Sequence, residues 1–187
     1  MKLVILSRDG IINRAIAGGV QQPDDWAPLP GSLEALARLQ REGYRVVVAT
    51  AQPGVAGGVP QMEMLNRIHV RMLESVRNKG GQVDAVFVCP HSADAGCRCR
   101  PPLPGLYQEI AERFKINLSS VPVVCATGDE ADAARAAGAQ PVLLGDAGRK
   151  QTSPAEDFDS LGAFIDSLIA GRGADFQRRR GHEARSR

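Results

Sequence analysis

Residues 2–13 read KLVILSRDGIIN, and this stretch decides the fold class. Lys2–Leu6 is a short apolar run, broken at once by Ser7, Arg8 and Asp9 and then by Gly10, the pattern of a buried strand running into a loop. Moving outward, similar runs recur at Tyr44–Thr50 (YRVVVAT), Asp84–Val88, Pro122–Ala126 and Pro141–Leu144. Segments of helical spacing lie between and after them, at Ser32–Glu42, Met62–Lys79, Leu106–Phe114, Ala131–Ala137 and Asp157–Ala170. Ser32 is the expected N-cap of the first helix, with Leu33, Leu36, Ala37 and Leu39 on one face and Gly43 as its stop. In the second, Met64, Leu65, Ile68, Met72 and Val76 share the apolar face, and Gly80-Gly81 ends it. Five strands alternating with helices imply parallel pairing through right-handed crossovers, hence an α/β fold with a doubly wound parallel sheet. In such a sheet the site lies beyond the carboxyl ends of the strands. That gathers Ser7–Asp9, Thr50–Gln52, Cys89–Pro102 and Ala126–Glu130 on one edge.

The chain has 187 residues, 43% apolar and 24% charged, which suits one domain with a real core, expected over residues 1–170. Aromatics are only 4%, so that core rests on Val, Leu, Ile and Ala, as helices packed on a parallel sheet require. The run Leu3–Leu6 is too short for a span and leads into a turn; no leader or membrane segment is expected, and the cytoplasm is the expected location. Residues 171–187 carry six Arg against Asp175 and Glu183, a net of +4 that leaves −2 on the body. This basic tail reads as a solvated, disordered terminus; contact with nucleic acid or another acidic partner is the alternative. The chain is expected to be a monomer.

Cys89-Pro-His91 and Cys97-Arg-Cys99 place four soft or borderline ligands within eleven residues. In a reducing compartment such clustering points to metal before disulfides. Three thiolates and an imidazole make a closed tetrahedral set, so the expectation is a structural zinc that leaves no position for a substrate. Metal binding would order a loop that Pro90 and Gly96 turn and nothing else holds. Cys125 ends an apolar strand and reads as a small buried residue, and His69 reads as a packing residue within its helix.

Phosphoryl transfer by a carboxylate nucleophile needs an Asp at a strand end, a second acid for the leaving group, carboxylates for Mg2+ and a polar cradle for the phosphate. At this point the chain resembles the haloacid dehalogenase superfamily, in its D,D-heptose 1,7-bisphosphate phosphatase (histidinol-phosphatase-like) branch. The resemblance runs from about residue 2 to residue 150, carried by SRDGIIN (7–13), LPGSLEAL (29–36), TAQPGV (50–55), CPH (89–91) with CRCRPPLPG (97–105), and ARAAGAQP (134–141). It implies a Rossmann-like fold with a minimal cap and a zinc loop over 89–99.

The departures from that pattern fall on the chemistry. The resemblance implies an Asp nucleophile where Ser7 stands, and Asp9 at the acid/base position. Thr50, Gln52 and Arg100 match the phosphate cradle, whereas Pro101 replaces the clamping Lys. In the fourth motif an ungapped register puts Ala126 at the magnesium-binding Asp and Glu130 at the second acid. A rival register would use Gly128-Asp129 with Asp132, at the wrong carboxylate spacing. Asp129, Glu130 and Asp132 also suit a solvated helix start. Trp26 falls in the flap-like segment where this branch shapes its entrance, and a purely structural role fits it equally. Ser7 has no charge to hold Mg2+, and losing a nucleophile costs on the order of 10⁶ in rate. The expectation is therefore a pseudophosphatase without Mg2+, acting through a protein partner or an anionic ligand in a vestigial cleft. The alternative is a Mg-dependent sugar-phosphate phosphatase with an altered site.

Overall fold

The computed structural model of the chain describes residues 1–145 and 156–171. The basic tail, from residue 172 onward, lies outside the described residues. Six strands form one sheet: β1 Leu3–Ser7, β2 Arg45–Ala51, β3 Ala85–Cys89, β4 Pro122–Cys125, β5 Gln140–Leu144 and β6 Glu156–Phe158. Their order is β3-β2-β1-β4-β5-β6 and every pairing is parallel. The helices are α1 Ser32–Arg41, α2 Val59–Asn78, α3 Gly105–Phe114, α4 Gly128–Ala136 and α5 Leu161–Ile169.

β1 is buried at all five positions, as a central strand covered on both faces must be. Because side chains alternate along a strand, Val4 and Leu6 face one layer and Leu3 and Ile5 the other. The first layer joins Val46, Val48 and Val124 to Leu36, Leu39, Met72 and Phe164 of α1, α2 and α5. The second joins Val47, Ala49 and Val123 to Leu106, Ile110 and the small residues Ala133 and Ala134 of α3 and α4. Trp26 is buried at 3% exposure inside the first layer, so it packs rather than shaping an entrance.

Several expected boundaries move for local reasons. The N-cap of α1 is Gly31, at φ 76°, and the Ser32 hydroxyl instead donates to the Ile12 carbonyl at 2.7 Å, tying α1 to the loop after β1. α2 starts three residues earlier than its apolar spacing suggested, with Pro in its first turn, where no N–H is needed. α4 also starts three residues early, because Thr127 caps it. The last helix begins only at Leu161, where Ser160 Oγ accepts from Ala163 N at 3.1 Å. The residues before it form β6, a strand the sequence reading did not expect. Gly105 opens α3 against the backbone of Arg98: it donates to the Arg98 carbonyl at 2.9 Å, and a Cβ there would collide with that carbonyl.

Candidate functional site

At the end of β1 the chain turns outward, and the Asp9 carboxylate becomes the centre of a hydrogen-bond network. Arg8 is fully buried, and its Nη2 donates to Asp9 Oδ1 and Oδ2 at 3.0 and 2.9 Å. Asn13 Nδ2 donates to Oδ1 at 2.9 Å, and Gln52 Nε2 to Oδ2 at 2.9 Å. Gln52 Nε2 also reaches Thr50 Oγ1 at 2.8 Å, so the two matching residues of the β2 end act as one unit behind Asp9. Arg8 Nη1 in turn donates to His69 Nε2 at 3.3 Å, from α2. Burial, with the neighbouring guanidinium second, lowers the His69 imidazole to about 4, against a smaller opposing pull from Asp9. The ring is therefore neutral at pH 7 and free to accept. His69 does more than pack: it carries the inner end of the arginine.

Ser7 lies one step deeper. It is 1% exposed, and its hydroxyl has no partner at full hydrogen-bond geometry, although it lies close enough to Tyr107 and Glu130 to favour the ionised form of each. The Glu130 carboxylate turns inward from the first turn of α4 and accepts from Ala126 N at 2.9 Å and Thr127 N at 3.2 Å. Thr127 Oγ1 accepts from Glu130 N at 3.3 Å, which completes a reciprocal capping box. Burial raises the Glu130 carboxyl, opposed mainly by the Ala126 N–H. Burial also pushes the Tyr107 phenol and the Cys125 thiol well above their usual ranges, so both stay neutral. Ala126 abuts Gly10, where an added Cβ would come within 2.8 Å of the alanine's own. Asp129 and Asp132 are exposed, and Asp132 pairs with Arg135 at 2.8 Å. Glu130 thus turns inward beside Ser7, whereas Asp129 and Asp132 of the rival register face water.

The loop between β3 and α3 assembles the expected ligand set. Ligand atoms of Cys89, His91, Cys97 and Cys99 all lie within 4.8 Å of one another, and among the described residues they form the one group of three or more that can hold a metal. The Cys89–Cys97 and Cys89–Cys99 sulfur separations are 3.7 and 3.1 Å, and His91 Nδ1 is 3.2 Å from Cys99 Sγ. Cys97 and Cys99 pack against the second core layer, beside α3. Arg100 follows directly, and its Nη1 donates to the His91 carbonyl at 3.3 Å.

In front of Asp9 opens a cavity of about 920 Å³. Its walls are the residues after β2, the face of α2 and the segment that leaves at Asn13 and returns at Pro28, two residues joined by a β-bridge. Asp9, Gln52 and Arg100 line it, whereas Thr50 is 4% exposed and sits behind them. Sequence reading had found Asp9, Thr50, Gln52 and Arg100 but missed Arg8, Asn13 and His69 as the supports of Asp9. Arg8 and Asn13 lie within the quoted motif and were within reach of that reading; nothing in a helical His next to apolar positions announces a buried arginine. Among the described residues, no helix is long and apolar enough to cross a membrane.

No family model matches the chain. It is 46% identical over 144 residues to the D-glycero-beta-D-manno-heptose-1,7-bisphosphate 7-phosphatase of Bordetella bronchiseptica, covering 77% of this chain and 80% of that protein. The enzyme of the same name from Pseudomonas aeruginosa is 39% identical over 173 residues, 89% of this chain and 97% of its own. Among solved structures, the B. bronchiseptica D,D-heptose 1,7-bisphosphate phosphatase complexed with magnesium and phosphate matches with a TM-score of 0.84 at 39% identity, over 91% of this chain and 99% of that one. The Burkholderia thailandensis phosphatase matches with a TM-score of 0.69 at 37% identity, over the same shares.

Proposed function

Since the chain belongs to the D,D-heptose 1,7-bisphosphate phosphatase family of the haloacid dehalogenase superfamily, we propose that it is a member that has given up turnover and uses the old cleft to bind an anionic ligand or a partner. One observation carries this reading: the two strand ends that should present carboxylates, β1 and β4, present Ser7 and Ala126. A hydroxyl is a poor nucleophile unless a base takes its proton, and Glu130, the acid beside Ser7, is engaged with two backbone N–H groups. Magnesium takes near-octahedral oxygen ligands. The residues here do not fit it: position 7 offers a neutral oxygen, position 126 a methyl group against Gly10, and Asp9 is already held by Arg8, Asn13 and Gln52. Removing two carboxylates together with a divalent cation leaves the local charge balanced, so these substitutions are mutually consistent rather than damaging.

The loop cluster is read as a structural zinc site. Zinc–sulfur bonds of about 2.3 Å put sulfurs roughly 3.8 Å apart along a tetrahedral edge, and the Cys89 sulfur lies 3.7 Å from that of Cys97 and 3.1 Å from that of Cys99. Its role is to hold the loop between β3 and α3 in place, and with it Arg100. The soluble, cytoplasmic, monomeric state expected from the sequence belongs to the same reading.

The test is phosphate release from D-glycero-D-manno-heptose 1,7-bisphosphate with Mg2+. The parent protein should release none, and the Ser7→Asp/Pro101→Lys/Ala126→Asp variant should gain activity. Magnesium-dependent release by the parent, abolished in Asp9→Asn, would show instead an active phosphatase with an altered site.

A further inference from the structure

The cavity in front of Asp9 is matched to a ligand unlike the family's. A sugar bisphosphate brings roughly three to four negative charges at neutral pH. Among the described residues that line the cavity there is one cation, Arg100, and one anion, Asp9, which is already paired with the buried Arg8 at 2.9 Å. Much of the remaining wall is apolar: Ile16 and Val20 from the 13–28 segment, and Val55, Met64, Leu65 and Ile68 from the loop after β2 and from α2. Val20, Leu65 and Ile68 are at most 5% exposed, a firm floor, while Ile16 stays 37% exposed at the mouth. A pocket of this size and lining, with a few convergent polar groups, is built for a small molecule with an apolar body.

We propose that this cavity binds an amphipathic monocarboxylate: a carboxylate head on Arg100 and a medium-length aliphatic body along Ile16, Val20, Met64 and Ile68. This rests on the reading of the cleft as a binding site without turnover. Arg100 uses one N–H on the His91 carbonyl, and a carboxylate needs two of the five a guanidinium carries. Gln52 and Gln61 line the same space and can serve a hydroxyl or amide on the ligand body. With Arg8 taken by Asp9, a second negative charge finds no further cation among the described lining residues. One head group and one greasy tail is the charge pattern that such a wall selects.

The experiment is calorimetric titration of the full zinc-loaded chain with decanoate, hexanoate and inorganic phosphate. Decanoate should bind one to one and at least ten-fold more tightly than hexanoate or phosphate. Arg100→Gln and Met64→Glu should each weaken decanoate at least ten-fold, with zinc content and circular dichroism unchanged. Preference for phosphate, absence of decanoate binding, or decanoate binding indifferent to both substitutions overturns the proposal and leaves the loss of turnover standing. Phosphate release from the heptose bisphosphate by the same preparation overturns the underlying reading instead.

Discussion

His69 shows how a residue outside the motifs comes to support one. Its imidazole, at about 4 in the folded chain against an ordinary 6.5, stays neutral so that it can accept from Arg8. Between those two values the unfolded chain takes up a proton that the native chain refuses, so stability is lost as pH falls from about 6.5 to about 4. The full difference amounts to about 3 kcal/mol. Urea titrations at pH 7, 5.5 and 4 should show the parent weakening by that order, and His69→Gln, which keeps an acceptor for Arg8, should flatten the profile. A profile unchanged by the substitution would remove His69 as its cause. Glu130 works in the opposite sense: its carboxyl is raised by burial, so its contribution is present in acid and fades as pH rises past the ordinary carboxyl value.

At the scale of elements, the strands were the most legible part of the sequence. Each of β1, β2, β3, β4 and β5 is an apolar run, and for the central β1 and β4 burial on both faces leaves a chain no cheaper alternative. Helix starts were legible only where side chains alone decide them. Ser32 looks like a cap but bonds across to Ile12, while Glu130, read as a solvated helix start, instead turns inward and closes a capping box with Thr127. β6 was hidden because Glu-Asp-Phe has neither the length nor the alternation of a strand; it exists through pairing with β5. The site divided in the same way: the ligand loop was readable from spacing, while the Arg8–His69 support is a contact across 61 residues that no local pattern encodes. The loop itself offers an element-scale prediction. A metal at a hundred times its dissociation constant stabilises by about 2.7 kcal/mol, and for a chain of this size that moves Tm by roughly 5–10 °C. Stripping zinc with a strong chelator should lower Tm by that amount, and Cys99→Ser should purify without an equivalent of zinc. Full thermal stability in the stripped protein would deny the loop a structural metal.

For the molecule as a whole, two hydrophobic layers share one sheet, so neither can open without exposing the back of the other. Trp26 reports the first layer, and the ligand loop, packed beside α3, reports the second. Urea unfolding followed by Trp26 fluorescence, by far-ultraviolet circular dichroism and by zinc release to a chromogenic chelator should therefore give coincident midpoints. Separated midpoints would mean that the layers unfold independently. The reciprocal cap formed by Thr127 and Glu130 bears on how such a chain is inherited. Glu130 closes the start of α4 whether or not any phosphate is ever cut, so a lineage that abandons hydrolysis is still obliged to keep an acceptor there. A surviving acid at this position is accounted for by the backbone alone, so a survey that grades family members by how many motif carboxylates remain would not tell a silent member from a working one.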